Sequence, residues 1–208
     1  MFKPILSPQD LRRIEETIAA VETRTAGELV VAVAHRSSWY RLSRLVAAAL
    51  WAVGLALLVQ YLWKPIPTDL LLLAQVPVAL AAYWLTGMPL LTRMLVSAPV
   101  AAKAAHERAV VLFMERGICD TRDRSGLLIF VSELERRVVI LGDSGIHAHI
   151  GEQGWQEHAR AIIAGIRKDQ ATDAIVGVIE QLGTVLADKF PAGAQNPNEL
   201  PNTVIEVR

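Results

Sequence analysis

Gly126-Leu127-Leu128-Ile129-Phe130-Val131-Ser132, then Glu133-Leu134-Glu135-Arg136, then Arg137-Val138-Val139-Ile140-Leu141, is the stretch whose reading decides the fold. Two short apolar runs, rich in β-branched residues and joined by four residues of turn character, predict a pair of strands forming a hairpin. Upstream, Asp120-Thr121-Arg122-Asp123-Arg124-Ser125 is a polar loop. Before it, Ser97-Ala98-Pro99 reads as a helix start. Ala102, Ala105, His106, Ala109, Leu112 and Phe113 carry that helix forward, and Gly117 is placed to stop it. Downstream, Gly142-Asp143-Ser144-Gly145 reads as a sharp loop. Two more helices follow, one marked by Trp155, Ile162, Ile163 and Ile166, the other by Ala171, Ile175, Ile179, Leu182 and Leu186.

At the other end of the chain, Ser7-Pro8-Gln9-Asp10 opens a helix. Serine caps it, proline suits its first position, and the acid faces the positive end of the helix dipole. Leu11, Ile14, Ile18 and Val21 recur at helical spacing. Glu28–Ala34 then reads as a strand, and its scarce alternation predicts burial on both faces. The order implies an α/β fold with a small mixed sheet sandwiched by helices. Residues 1–40 and 97–191 make one discontinuous domain, and 192–208 form a tail rich in Pro and Asn.

The segment dividing that domain is of a different kind. Residues 45–63 are almost wholly apolar, with Gln60 the one strongly polar side chain, and 70–91 are similar. At a rise of about 1.5 Å per residue, about 20 residues cross a hydrocarbon layer of about 30 Å. A soluble helix of that length keeps a polar stripe toward water, and neither run has one. The expectation is an inserted two-helix transmembrane hairpin, with Tyr61, Trp63, Tyr83 and Trp84 as interfacial anchors. Arg36, Arg41, Arg44, Arg93 and Lys103 flank the hairpin, whereas its loop from Lys64 to Asp69, with Pro65 and Pro67, carries one lysine and one aspartate. That asymmetry places the α/β domain in the cytoplasm and the protein in the inner (cytoplasmic) membrane with two spans. The first sixteen residues include Asp10, Arg12, Arg13, Glu15 and Glu16 and resemble no secretory leader.

Composition narrows the function. The 208 residues carry 21 basic and 21 acidic side chains. A neutral chain lacks the basic face of a nucleic-acid binder. Cys119 is the only cysteine, so there is no disulfide framework and no cysteine-based zinc site.

Thr25-x-Gly27-Glu28 leading into Val30, Val31 and Val33 resembles the start of the TPM domain. That domain is named for thylakoid-lumen, photosystem II repair and acetylcholine-receptor modulator proteins. The stretch from Thr121-Arg122-Asp123 to Leu127-Leu128-Ile129 is similar to the family's strand entry. Glu135-Arg136-Arg137 through Gly142-Asp143-x-Gly145-Ile146 is similar to its hairpin return. Trp155 and Phe190-Pro191 also match, and the likeness covers residues 7–40 and 100–200. It implies an α/β sandwich. Some plant members are acid phosphatases with a bound divalent cation, others assist photosystem repair or modulate a receptor, and many bacterial ones are membrane proteins of unassigned function. The resemblance thus implies a bacterial, membrane-anchored member. Its two candidate functions are a non-catalytic interaction or assembly module for another membrane protein, and a phosphatase-like hydrolase using calcium or magnesium.

Where a ligand would sit depends on strand direction. If Glu28–Ala34 runs parallel to residues 137–141, His35 and Asp143 share a sheet edge with Arg122 and Asp123 beside them. If it runs antiparallel, Glu28 faces Asp143 instead. Glu28, Asp123 and Asp143 are the candidate metal ligands, as hard oxygen donors, although Asp143 equally suits capping of its own turn. His147 and His149 share a face if that segment is extended, and His106 is a candidate third imidazole. Arg122 and Arg124 suit phosphate as paired donors. Ser144 in Gly-Asp-Ser-Gly is not the nucleophile elbow Gly-x-Ser-x-Gly.

Overall fold

The computed structural model describes residues 5–62, 67–193 and 198–207. Trp63, Lys64 and Pro65, expected near the tip of the inserted hairpin, lie outside the described residues. In chain order the elements are α1 (Pro8–Glu22), β1 (Glu28–Ala34), α2 (Arg41–Leu62), α3 (Thr68–Leu85), α4 (Pro89–Leu95) and α5 (Ala98–Glu115). There follow a 3-10 turn (Ile118–Asp120), β2 (Gly126–Ser132), β3 (Arg137–Gly142), α6 (Ser144–Arg167), α7 (Ala171–Lys189) and β4 (Ile205–Val207). Two compact units result: Met1–Ser37 with Ala102–Arg208, and Ser38–Ala101.

The first unit is built on a four-stranded sheet in the order β3-β2-β1-β4. β1 runs parallel to β2, pairing Glu28 with Gly126 and Ala34 with Ser132. β2 returns antiparallel into β3, pairing Leu127 with Gly142 and Ser132 with Arg137. The sequence left the direction of β1 relative to β3 open; the register makes them antiparallel. β4 extends the sheet beyond β1 in parallel, from Ala32–Ile205 to Ala34–Val207. It lies in the stretch read from sequence as a tail.

Both faces of the central strands are covered. Leu29, Val31, Leu127, Ile129 and Val131 pack with residues of α1, α6 and α7 such as Ile14, Ile18, Ile162 and Ile179. Val30, Ala32, Ala34, Leu128 and Phe130 pack with Ala105, Ala109 and Leu112 of α5. This two-residue alternation between opposite cores is why the strands read as unbroken apolar runs. α1 begins as expected: Ser7 Oγ accepts from Asp10 N, and the Asp10 carboxylate accepts from Ser7 N. Gly117 follows α5 with φ +66°, a left-handed conformation suited to glycine.

The segment 142–145 is not a free loop. Asp143 is the N-cap of α6, which starts at Ser144 and bends at Gly151 (φ +69°). His147 and His149 therefore lie on a helix, where residues two apart point in divergent directions. The shared face expected for an extended segment does not form.

The second unit is a helical hairpin. α2 buries Ala47, Ala48, Ala52 and Ala56 and leaves most of its other residues exposed. Small residues spaced by four let α3 approach closely, and Leu71, Ala74, Gln75 and Val78 line the space between the helices with Ala52 and Ala56. The run 70–91, expected as a single helix, is broken. α3 ends at Leu85, and α4 departs at 99°. Pro89 opens α4 and holds Met88 extended (ψ 136°), as residues before proline are. At the corner, Thr92 Oγ1 donates to Thr86 O at 2.7 Å. Arg44 stacks 4.3 Å from the Tyr83 ring centroid and donates to Tyr83 O at 3.0 Å. A Cβ on Gly87 would sit 2.5 Å from that guanidinium and 3.1 Å from Trp84 O, so a larger residue there would displace the end of Arg44.

Candidate functional site

The polar chemistry of the α/β unit gathers at two opposite ends of the sheet. At the first, β1 and β2 begin and β3 ends. Glu28 opens β1 almost fully buried, and each of its oxygens accepts one backbone amide, Glu199 N and Leu200 N, both at 3.1 Å. Burial pushes its carboxyl above the ordinary range, against the opposing effect of those two amides. Close by, Glu22 accepts Leu29 N at 2.9 Å. Burial raises its pKa to about 7, with the Leu29 amide opposing and the Glu28 charge adding to the rise. Ser125 is fully buried and donates to Ala26 O at 3.0 Å, while its own amide donates to Thr121 Oγ1 at 3.1 Å.

Asp143 completes this end. Its Oδ1 accepts Ser144 N at 2.6 Å, and its Oδ2 lies 3.2 Å from Arg124 Nε. Arg124 also donates to Cys119 O at 2.7 Å. The backbone is packed as closely as the side chains. A Cβ on Gly126 would fall 1.9 Å from Ile118 O, and one on Gly145 would fall 2.7 Å from Arg124 O. Asp143 is thus a cap and an ion-pair partner inside a tightly folded corner.

His35 is at the other end. Because β1 is antiparallel to β3, residue 35 leaves the sheet beside Ser132 and Glu133, away from Asp143. The grouping of His35 with Arg122, Asp123 and Asp143, expected only for parallel strands, does not form, and Glu28 shares the Asp143 end as the antiparallel alternative has it. His35 Nδ1 lies 3.2 Å from Oε2 of buried Glu133, whose Oε1 accepts Ile5 N at 2.7 Å. The pair lines a cavity of about 420 Å³ with Leu6, Leu11, Val33 and Glu206. Next to it, Ser37 Oγ and Ser132 Oγ are 2.7 Å apart, and Ser132 Oγ donates to Glu135. Glu133 was missed in the sequence because it sat in the predicted turn. Its place directly after a fully buried strand was the available signal.

The remaining candidates are scattered. Asp123 and Arg122 are exposed, and the Arg122 amide donates to Glu199 Oε2 at 3.0 Å. His106 is exposed on α5. His147 Nδ1 accepts from Trp155 Nε1 at 3.1 Å, which places Trp155 as a core anchor, and His149 meets the Phe190 ring edge-on at 5.9 Å. Among the described residues, no three His, Cys, Asp or Glu side chains are grouped to hold a metal ion, the set Glu28, Asp123 and Asp143 included. The acids at the sheet end therefore do not fit a divalent cation: Glu28 holds backbone amides, and Asp143 holds a helix start and a guanidinium.

Comparison with known proteins agrees with the architecture. A solved structure, the NMR structure of BA42 protein from the psychrophilic bacteria Bizionia argentinensis sp. nov., superposes with a TM-score of 0.60. The match covers 99% of this chain and 98% of that one at 19% identity, a likeness of fold. No curated protein matches the sequence. The TPM domain matches residues 93–185, which run from α4 through most of α7. Residues 93–185 thus carry a TPM domain, set in a fold that the BA42 structure shares.

Proposed function

We propose that this chain is a TPM-domain protein anchored in a membrane by α2 and α3, with its α/β unit serving as a non-catalytic interaction or assembly module for a membrane partner. The observation that carries the reading is the exposure of the inserted hairpin. α2 is long and apolar enough to cross a bilayer, and α3 with α4 is a second such segment if a bent pair counts as one. The helices are not a soluble core: Leu50 is 68% exposed, Leu57 67%, Leu73 71% and Trp84 81%. An apolar surface of this extent calls for lipid or protein around it. The basic flanks support a cytoplasmic α/β unit.

The interaction reading is supported by how the buried acids are used. Glu28 and Glu133 each tie separate backbone segments together, and Asp143 caps α6 and pairs with Arg124, so these acids are engaged in holding the fold. The competing reading, a divalent-metal-dependent phosphate-ester hydrolase near the membrane surface, draws on the family's plant members. It would need those ties to open.

The test has two arms. Alkaline extraction of membranes should leave the full-length chain in the pellet; release into the supernatant would refute the anchor. Melting of the solubilised chain with calcium, magnesium, manganese or zinc should show no rise, because a cation bound to the native state raises the midpoint by mass action. A rise together with metal-dependent release of nitrophenol from a phosphate ester would replace the module with the hydrolase.

A further inference from the structure

The inserted unit holds one helix whose direction a simple two-span anchor does not explain. α4 leaves α3 at 99°, with Leu90 70% exposed and Met94 77% exposed one turn apart on the same face. Thr92 faces inward, held to Thr86 O, and Arg93 is exposed beside the apolar pair. We propose that α4 lies flat in the membrane interface, an in-plane foot at the base of the hairpin whose Leu90 and Met94 enter the headgroup–acyl boundary of a bilayer. The inference rests on the membrane reading of α2 and α3.

Length decides between this arrangement and a longer span. The 18 residues of α3 already measure about 27 Å at about 1.5 Å per residue, close to the hydrocarbon thickness. Adding the seven residues of α4 in line would overshoot it. The corner removes the excess, and it is built rather than loose: Pro89 sets the turn, Gly87 admits Arg44, and Thr92 ties back to Thr86. A helix perpendicular to a spanning segment runs parallel to the bilayer surface. Its exposed apolar face then continues that of α3 at headgroup level, with exposed Trp84 at the end of α3 and exposed Arg93 on α4 itself. Aromatic and basic side chains are the groups that favour this layer.

Spin-label depth in full-length protein tests the proposal. In a Cys119→Ser background, single labels at Leu73→Cys, Leu90→Cys and Met94→Cys would be placed in phospholipid nanodiscs. Their relaxation by oxygen and by a water-soluble nickel chelate would then be compared. The expected result is a deep label at 73 and two shallow labels of equal depth at 90 and 94, about 5–10 Å below the headgroups. A depth difference of about 6 Å between 90 and 94 would mean that α4 continues the span, and would overturn the proposal. Water-exposed labels at 90 and 94 with a lipid-exposed label at 73 would overturn it while leaving the anchor standing. A water-exposed label at 73 would remove the membrane reading and the proposal together.

Discussion

Replacing Glu22 with glutamine should change how the α/β unit's stability depends on pH, and the structure gives the size of the effect. Glu22 is 9% exposed and accepts the Leu29 amide, with the charge of Glu28 close by. Its pKa rises from 4.5 to about 7. A carboxyl raised on folding binds its proton more tightly in the native state. Its contribution is therefore fully present below about pH 4.5 and is lost as pH climbs through about 7. At about 1.4 kcal/mol per pH unit, the loss amounts to about 3 kcal/mol. The Glu22→Gln side chain keeps a carbonyl for the Leu29 amide and never ionises. The variant should therefore match wild type near pH 4.5 and exceed it by about 3 kcal/mol at pH 8. Glu28 is also raised, so subtraction of wild type from the variant isolates the Glu22 contribution apart from its coupling to Glu28. Urea titrations of full-length protein in mild detergent, read from the fluorine resonance of fluorotryptophan at Trp155, report on the first unit, because Trp39, Trp51 and Trp84 lie in the second. A difference between variant and wild type that is the same at both pH values would refute the argument from burial.

Glu28→Gln should loosen the C-terminal segment without unfolding the sheet, because an amide NH₂ then faces a backbone N–H that the carboxylate had accepted. Hydrogen exchange should rise at residues 199–207 while residues 127–131 stay protected. Gly126→Ala should cost at least about 2 kcal/mol, since its Cβ would collide with a backbone oxygen that cannot swing away. Gly177→Ala should instead add about 0.5–1 kcal/mol in the same titration, because that position in α7 has nothing within 4 Å of a new Cβ. Asp143→Ala removes the N-cap of α6 and should cost about 1 kcal/mol, with faster amide exchange in its first turn.

Much of the α/β unit was legible because local chemistry and tertiary placement agree there. Ser7, Pro8 and Asp10 state the start of α1, and the unbroken apolar runs of β1 and β2 state burial on both faces. β4 was not legible: Ile205-Glu206-Val207 alternates half-buried, exposed, half-buried, but three residues are too few to signal a strand, which exists because β1 offers it an edge. The bend after Leu85 was hidden by hydropathy, which sees Pro89 and Gly87 inside one apolar run and cannot tell a corner from a kink. The candidate site turned on a single step that sequence leaves open. Strand composition does not encode direction, and reversing β1 against β3 sends His35 to one end of the sheet and leaves Glu28 at the other. His147 and His149 share a face only on an extended chain, and Asp143-Ser144, which suits a turn, serves equally well as a helix cap.

The pairing of Glu28 with Gly126 also sets an order of assembly. These neighbours are about a hundred residues apart, and the whole Ser38–Ala101 unit is threaded between them. β2 and β3 can zip at once, being joined by a tight turn, and α2 can meet α3 across a short connection. Closing the β1–β2 ladder costs less once the intervening helices have condensed and shortened the loop. Until then the most apolar strands of the chain stand half paired. The nascent protein should depend on chaperone shielding of β1 for as long as the middle of the polypeptide is still finding its surroundings.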